Sequence, residues 1–274
     1  MGKKIAVLQI DSILGDQMAT LAKIDSMLSD INDPEVRMAV FCEYGLSGFC
    51  TDLASVAKSI PGPITEEMEK LSKKHNIWLS GGLPELMPNG KVANSSVMIS
   101  PKDGLVATYR KIHPFGGERE HVYFGDTPVV VDTEIGKVGL SICYDFIFPE
   151  FIRGLVLNGA EVILNSTFWY ADDYSTPFGW CPDHTLALAR VRALENKCFV
   201  AMACRTGCED DGDNRMHGFG HSAIVDPMGN FIAKAGVGER VIIGEIDHQY
   251  REKCAGFGYI NDRRPEIYKK MLDI

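Results

Sequence analysis

Three side chains of different chemistry each come directly after a run of strand-like residues. Glu43 follows Met-Ala-Val-Phe-Cys, Lys111 follows Val-Ala-Thr-Tyr-Arg, and Cys143 follows Val-Gly-Leu-Ser-Ile. In α/β folds, reactive groups gather at the carboxyl ends of strands, where the loops open into a crevice. A carboxylate, an ammonium group and a thiol are therefore candidates for one shared site.

Together these three groups would make a nucleophilic site. A cysteine attacks as the thiolate, whose pKa falls near a cation. Glu43 could take the thiol proton and return it to a leaving amine. Lys111 could stabilise the oxyanion of a tetrahedral intermediate together with a backbone N–H. Position alone leaves the alternative that each of the three is an ordinary side chain at the end of a strand.

The residues around these positions resemble a known family. The blocks Phe-Cys-Glu-Tyr at 41–44, Tyr-Arg-Lys-Ile-His at 109–113 and Ile-Cys-Tyr-Asp-Phe-Ile-Phe-Pro-Glu at 142–150 are similar to the three signature blocks of the carbon–nitrogen hydrolase family, the nitrilase superfamily. Two later blocks, Arg-Ala-Leu-Glu-Asn at 192–196 and the turn at 220–229, also resemble family motifs. The resemblance covers nearly the whole chain.

This resemblance implies an α/β fold, the αββα four-layer sandwich, with two six-stranded sheets each covered by helices. It also implies roles for the three residues: Glu43 as general base, Lys111 as oxyanion stabiliser and Cys143 as nucleophile. The backbone N–H of Tyr144 would be the second oxyanion donor. The reaction would be acyl transfer through a thioester, and it would need no metal and no organic cofactor.

Family members often carry a second acidic residue in the loop after the lysine. Two candidates stand in Glu-Arg-Glu-His-Val-Tyr-Phe at 118–124. Glu120 is the better match, because a basic residue and an aromatic pair follow it, and Glu118 is the fallback. Either could instead be a carboxylate of a surface loop.

The nucleophile block favours one branch of the family. True nitrilases usually have Cys-Trp-Glu, whereas this chain has Cys-Tyr-Asp at 143–145. That block is similar to omega-amidases, although Thr185 and Cys204 depart from their pattern. The chain is therefore predicted to cleave a small linear amide and to release ammonia or an amine. The alternatives are an N-carbamoyl (ureido) amidohydrolase and, behind it, a nitrilase, an N-acyltransferase or a catalytically silent scaffold.

The substrate pocket is expected to include three aromatic residues. Phe168 and Trp169 stand in the segment 165–180 that should form part of the pocket wall, and Tyr44 adjoins Glu43. For Phe168 and Trp169, packing in the core is the competing interpretation, since aromatic side chains dominate protein cores. Arg205 is the cation to consider for a substrate carboxylate.

The composition excludes several other classes of protein. The chain has 274 residues with 28 basic and 37 acidic side chains, a net charge of −9. Such an acidic surface repels nucleic acids and anionic membranes. No apolar run approaches the roughly 18 residues of a membrane span, and no signal peptide is recognised, so a cytoplasmic location is predicted. The eight cysteines have no CxxC spacing, and reduced thiols are expected.

The elements that must position these residues follow from the apolar periodicity. Strand patterns cover residues 5–10, 38–41, 78–81, 92–99, 104–109, 129–132, 138–143, 161–165, 199–203, 222–226 and 231–234, and a last strand closes at 246–247. Helical patterns cover residues 18–28, 61–74, 151–158 and 184–196. With no repeat and no linker, a single domain over 1–274 is predicted.

The C-terminal segment 248–274 is expected to need a partner surface. It carries seven large apolar side chains: Phe257, Tyr259, Ile260, Ile267, Tyr268, Met271 and Leu272. These are too many to leave in water on a free tail. Because two-fold pairing is the commonest arrangement of soluble homo-oligomers, the sequence predicts a homodimer or larger homo-oligomer with this tail at the interface. The alternative is a latch on the chain's own core.

Overall fold

The computed structural model describes residues 3–49, 52–210 and 215–272. The strands are β1 Lys3–Gln9, β2 Val36–Val40, β3 Trp78–Leu86, β4 Val92–Ser100, β5 Gly104–Arg110, β6 Val122–Tyr123, β7 Val130–Thr133, β8 Gly136–Ile142, β9 Val162–Thr167, β10 Tyr170–Ala171, β11 Phe199–Cys204, β12 Cys208–Asp210, β13 Arg215–Gly218, β14 Ala223–Val225, β15 Phe231–Lys234 and β16 Arg240–Ile246. The helices are α1 Gln17–Ser29, α2 Leu53–Val56, α3 Pro63–His75, α4 Glu118–His121, α5 Pro149–Leu157, α6 Pro182–Asn196, α7 His248–Ala255 and α8 Pro265–Leu272, with 3₁₀ turns at Cys143–Ile147 and Thr176–Phe178.

The main helices begin where the local sequence stabilises a helix start. The Asp16 side chain accepts a hydrogen bond from the Ala19 N–H at 2.9 Å and caps α1. Helices α3, α5 and α6 begin with Pro63, Pro149 and Pro182. Proline suits the first helical position because its fixed φ is helical and its missing N–H has no partner there anyway.

The side chains of β1 point alternately into two separate hydrophobic cores. In β1, Ile5 and Val7 lie in a core shared with the second sheet, whereas Ala6 and Leu8 pack in a core with α1 and α3. Successive side chains of a strand point to opposite faces, so one strand serves both layers. Helices α5 and α6 cover the far side of the second sheet. The predicted αββα sandwich is confirmed.

The first sheet brings two of the candidate residues to one edge. Its strand order is β16-β1-β2-β3-β4-β5. Strands β2 and β3 are parallel, and β4 is antiparallel to both β3 and β5. Strand β5 therefore runs in the same direction as β2, and Glu43 and Lys111 leave the sheet at the same edge.

The second sheet supplies the third residue. Its order is β15-β14-β11-β9-β8-β7, and its central strands β8, β9 and β11 are parallel. Cys143 follows β8 directly. A small three-stranded sheet, β10-β13-β12, lies beside these two within the described ranges.

The predicted strands and helices are confirmed to within a few residues, with one correction to the strand number. In the described chain the first sheet has seven strands, not six, because β6 pairs with the start of β4, Val122 opposite Val92 and Tyr123 opposite Ala93. The elements that the periodicity did not predict are short, polar or C-terminal: α2, α4, α7, α8, β6, β10, β12 and β13. None of the helices described here is long and apolar enough to cross a bilayer.

Candidate active site

The side chains of Glu43 and Lys111 meet at the common edge of the first sheet. Lys111 Nζ lies 2.7 Å from Glu43 Oε1, and both side chains are almost completely buried. Cys143, at the end of β8, lines the same cavity as both of them. The three residues that follow strands in the sequence are therefore brought together around one cavity.

A second carboxylate completes the surroundings of the lysine, and it is Glu118. Its Oε2 lies 2.8 Å from Lys111 Nζ. The Asn94 amide donates to Glu43 Oε1 at 2.8 Å and to Glu118 Oε1 at 3.0 Å, so it holds the two carboxylates in one arrangement. The Phe115 N–H also donates to Glu118 Oε2, at 2.8 Å.

The preference for Glu120 over Glu118 is corrected by this geometry. Residues 118–121 form the single turn α4, and residues two apart on a helix do not face the same side. Because Glu118 faces Lys111, Glu120 faces away, and it is exposed. The sequence pattern predicted the correct segment, 118–124. The direction of the helical turn determines that Glu118, and not Glu120, contacts Lys111.

Burial and neighbouring charges set the protonation of the resting site. Burial lowers the pKa of the Lys111 ammonium, but the charges of Glu43 and Glu118 outweigh it and hold this pKa well above its usual value. Burial, followed by the Glu43 charge, raises the pKa of the Cys143 thiol well above its usual value, although Lys111 opposes the shift. Burial raises the pKa of Glu118, but Lys111 brings it below its usual value. The resting site therefore holds a neutral thiol and a charged lysine.

The backbone at the nucleophile is held in a conformation unusual for a residue with a side chain. Cys143 has a φ of 44°, in the left-handed region that non-glycine residues seldom adopt and that persists only when the surroundings enforce it. Asp145 provides that enforcement, since its Oδ2 accepts a hydrogen bond from the Ile142 N–H at 2.8 Å. The turn Cys143–Ile147 thus starts from a fixed anchor.

Asp145 also ties the nucleophile turn to the strand that carries the lysine. The Tyr109 hydroxyl donates to Asp145 Oδ2 at 2.6 Å, and His113 Nδ1 lies 2.7 Å from Asp145 Oδ1. Tyr109 and His113 stand two residues before and after Lys111, so this contact fixes the lysine relative to Cys143. Sequence reasoning did not assign Asp145 a role, although it stands in the quoted nucleophile block.

Arg205 stabilises the wall of the site and does not line it. Its side chain is fully buried, with the guanidinium 3.6 Å from the centre of the Phe168 ring and 2.9 Å from Glu209 Oε1. The Phe168 N–H in turn donates to Glu43 Oε2 at 3.0 Å. Arg205 is therefore placed behind Phe168, and the idea that it meets a substrate carboxylate is wrong.

Two cavities open at the thiol. The larger, of about 620 Å³, is lined by Glu43, Lys111, Glu118 and Cys143 among others. The smaller, of about 280 Å³, is lined by Cys143 and by a set of mostly aromatic side chains. Cys143 and Phe168 line both cavities, so a molecule bound at the thiol can extend into either.

The residues predicted to contact substrate divide between the cavity wall and the core. Phe168 lines both cavities, and Trp169 and Tyr144 line the smaller one. Tyr44 does not belong to this set: it is 0 % exposed and is not among the described residues that line either cavity. Its φ of 45° turns the chain directly after Glu43. Burial, followed by the nearby charge of Glu118, raises the pKa of the Tyr44 hydroxyl well above its usual value.

The cysteines and metal-binding side chains form no second centre in the described ranges. The seven cysteines described there are unpaired, and Cys50 lies outside them. Within the same ranges, His, Cys, Asp and Glu side chains form no group of three placed to hold a metal ion.

Comparison with known proteins agrees with the motifs. The profile described as carbon-nitrogen hydrolase matches residues 4–255. The chain is 30% identical over 267 residues to an omega-amidase of Saccharomyces cerevisiae, covering 91% of this chain and 88% of that protein. It is 30% identical over 231 residues to the human deaminated glutathione amidase, covering 78% and 68%. Among solved structures, Nit3 of Saccharomyces cerevisiae, described as a member of branch 10 of the nitrilase superfamily, superposes with a TM-score of 0.80 at 29% identity over 92% of each chain.

Proposed function

The chain belongs to the carbon–nitrogen hydrolase family and is an amidohydrolase acting on carbon–nitrogen bonds other than peptide bonds, and we propose that it cleaves small linear amides through a thioester on Cys143. The observation that carries this proposal is the lysine held between two carboxylates, Glu43 at 2.7 Å and Glu118 at 2.8 Å, in the cavity that Cys143 lines. The positive charge of Lys111 in this position can stabilise the oxyanion that forms during acyl transfer.

The first half of the reaction forms the thioester. Glu43 takes the proton of the neutral Cys143 thiol as Sγ attacks the amide carbon, and the carbonyl electrons move to oxygen. The Lys111 ammonium and the Tyr144 backbone N–H stabilise that oxyanion. Glu43 then gives its proton to the amide nitrogen, the carbon–nitrogen bond breaks, and ammonia or an amine leaves.

The second half regenerates the enzyme. Glu43 takes a proton from a water molecule that attacks the thioester carbon, and Lys111 again stabilises the oxyanion. The bond from carbon to Sγ breaks, the thiolate regains the proton from Glu43, and the carboxylic acid leaves. One water is consumed for each amide cleaved, and Glu118 keeps Lys111 charged and in place throughout.

Ammonia release from a panel of substrates tests the proposed function. The panel contains small linear amides, ureido acids and nitriles, assayed with the full-length protein. We expect turnover of amides above that of ureido acids and nitriles. Faster ammonia release from ureido acids would favour the N-carbamoyl alternative, and nitriles turned over faster than amides would contradict the assignment.

Glu118 and Glu120 form a matched pair for a test of the lysine's surroundings. We expect Glu118→Gln to lower kcat about 10²-fold, since a displacement of catalytic groups by about 1 Å can cost that much. Glu120→Gln makes the same chemical change on an exposed side chain of the same helical turn, and it should leave kcat unchanged. The measurement is kcat for one amide in both variants. Equal losses in the two variants would contradict the role of Glu118.

We also propose that the protein is at least a homodimer in which the C-terminal tail takes part. Ile267, Tyr268 and Met271 on α8 are 37%, 41% and 76% exposed. Leu157 on α5 is also exposed and lines one surface groove together with Tyr268. A cluster of this kind supports a subunit interface over a latch within one chain. The side chain of Leu272 and residues 273–274 lie outside the described part.

Removal of residues 262–274 tests the tail without disturbing α7, whose Arg251 pairs with Glu161 at 3.0 Å. We expect the full-length protein to sediment as a dimer or larger at micromolar concentration and the shortened protein to dissociate. A monomeric full-length protein would contradict the dimer. A shortened protein that stays dimeric would remove residues 262–274 from the interface.

We further propose that residues 1–274 form a single domain and that the protein is cytoplasmic. A single domain is supported by the core that runs from β1 through β8, β9 and β11 to α5 and α6. The cytoplasmic location rests on the sequence alone.

A further inference from the structure

The two cavities that meet at Cys143 differ in chemistry. The larger one carries, besides the reacting groups, the charged or titratable side chains of Lys91, His121 and Asp52. The smaller one, called here the aromatic chamber, is lined chiefly by Tyr144, Ile147, Phe168, Trp169, Tyr174 and Trp180. A substrate that spans both therefore meets charged and titratable side chains in the larger cavity and mostly aromatic side chains in the smaller one.

The position of the reacting groups decides which part of an amide enters which cavity. Glu43, Lys111 and Glu118 line the larger cavity, whereas the described lining of the aromatic chamber includes Cys143 but none of these three. The leaving nitrogen must reach Glu43 to receive its proton, so it lies on the side of the larger cavity. The acyl substituent, on the other side of the reacting carbon, then points into the aromatic chamber.

The chamber offers an acyl carboxylate no cationic partner in its described lining. Trp169 is only 6% exposed. Its ring packs edge to face against that of Trp180, with 5.7 Å between the two ring centroids. Apart from cysteine and tyrosine, the described lining contains one ionisable side chain, that of Asp172. Its Oδ1 accepts hydrogen bonds from the Ser175 N–H at 2.7 Å and from the Ser175 hydroxyl at 2.6 Å. A carboxylate on the acyl chain would find mostly aromatic side chains there, with neither Lys nor Arg in the described lining.

From this arrangement we propose that the aromatic chamber binds an uncharged apolar acyl group, aromatic or branched, so that the substrates are amides of apolar carboxylic acids. This proposal rests on the amidase function proposed above. At about 280 Å³ the chamber is slightly smaller than the roughly 300–1,000 Å³ found for whole small-molecule sites. It suits one ring or a branched alkyl group.

Three amides separate the possibilities: acetamide, phenylacetamide and succinamate, the monoamide of succinic acid. We expect kcat/KM for phenylacetamide to exceed that for acetamide by roughly 10-fold to 10²-fold, the range that small apolar groups give in hydrophobic pockets. Succinamate should be the poorest of the three. A wild-type preference for succinamate over phenylacetamide would overturn the proposal.

Two variants place the preference in the chamber. Trp180→Ala should lower the ratio of kcat/KM for phenylacetamide to that for acetamide about tenfold, mainly through KM. Ile147→Lys should invert the order of phenylacetamide and succinamate, because it brings a cation to the carboxylate. Phe231→Ala, an exposed aromatic on β15 outside both described linings, is the matched control and should keep the wild-type ratio. Unchanged ratios in both chamber variants would overturn the proposal.

A binding measurement keeps this test separate from the test of the amidase function. Quenching of tryptophan fluorescence is followed as phenylacetamide or acetamide is added to Cys143→Ala protein. Tighter binding of phenylacetamide than of acetamide, weakened by Trp180→Ala, would support the proposed chamber. It would do so even if the wild-type protein released ammonia from no amide. That lack of ammonia release would contradict only the amidase function. Equal or absent binding of the two amides overturns the chamber.

Discussion

The Cys143→Ala variant is expected to lose ammonia release from amides by about 10⁴-fold to 10⁶-fold, the range seen when an enzyme loses its covalent nucleophile. Its thiol is the one sulfur in the described lining of the larger cavity, beside Glu43 and Lys111. The protein should stay folded, because removal of one sulfur atom beside a cavity costs about 1 kcal/mol of the free energy of unfolding.

Mass spectrometry identifies the intermediate directly. Wild-type protein mixed briefly with an amide and quenched in acid should show an acyl mass increase on the peptide that contains Cys143, and the alanine variant should not. Cys198→Ala is the matched control, since Cys198 is also fully buried but is not among the described residues of either cavity. Substantial amide turnover by Cys143→Ala would show that another group is the nucleophile.

The Lys111→Arg variant is expected to lose about 10²-fold to 10³-fold in kcat, the cost of one oxyanion donor. The lysine is 2% exposed, and its single nitrogen contacts Glu43 and Glu118 at 2.7 and 2.8 Å. A guanidinium group is wider and planar and directs its donors differently. Keeping the positive charge therefore does not keep the geometry.

Comparison with Lys111→Ala and with a surface exchange separates geometry from charge. Lys111→Ala should be at least as damaging as Lys111→Arg, whereas Lys137→Arg, on a half-exposed side chain of β8, should keep wild-type kcat. The readout is kcat for one amide, with circular dichroism spectra to establish that each variant is folded. An arginine variant that retains more than about a tenth of the activity would refute the oxyanion role, given that scale of losses.

The local sequence determined the elements and the position of the reacting residues along them. The continuous apolar run at 5–10 produces β1, a strand that is buried on both faces, and the helical spacing in 18–28 produces α1. The same local logic places Glu43, Lys111 and Cys143 each directly after a strand. Short polar elements such as β12 and β13 escaped this reasoning, since they bury too little apolar surface to leave a periodic pattern.

Only the tertiary structure decided which of these side chains meet and in what surroundings. Lys111 and Glu43 stand 68 residues apart in the chain, and no local pattern reports a contact across that separation. The direction of one helical turn brings Glu118, and not Glu120, to Lys111. The contacts of Arg205 with Phe168 and Glu209 keep its guanidinium out of the described lining of both cavities. The position of a residue directly after a strand determines whether it can face the crevice. Contacts between elements that are distant in sequence determine whether it lines the crevice in the folded protein.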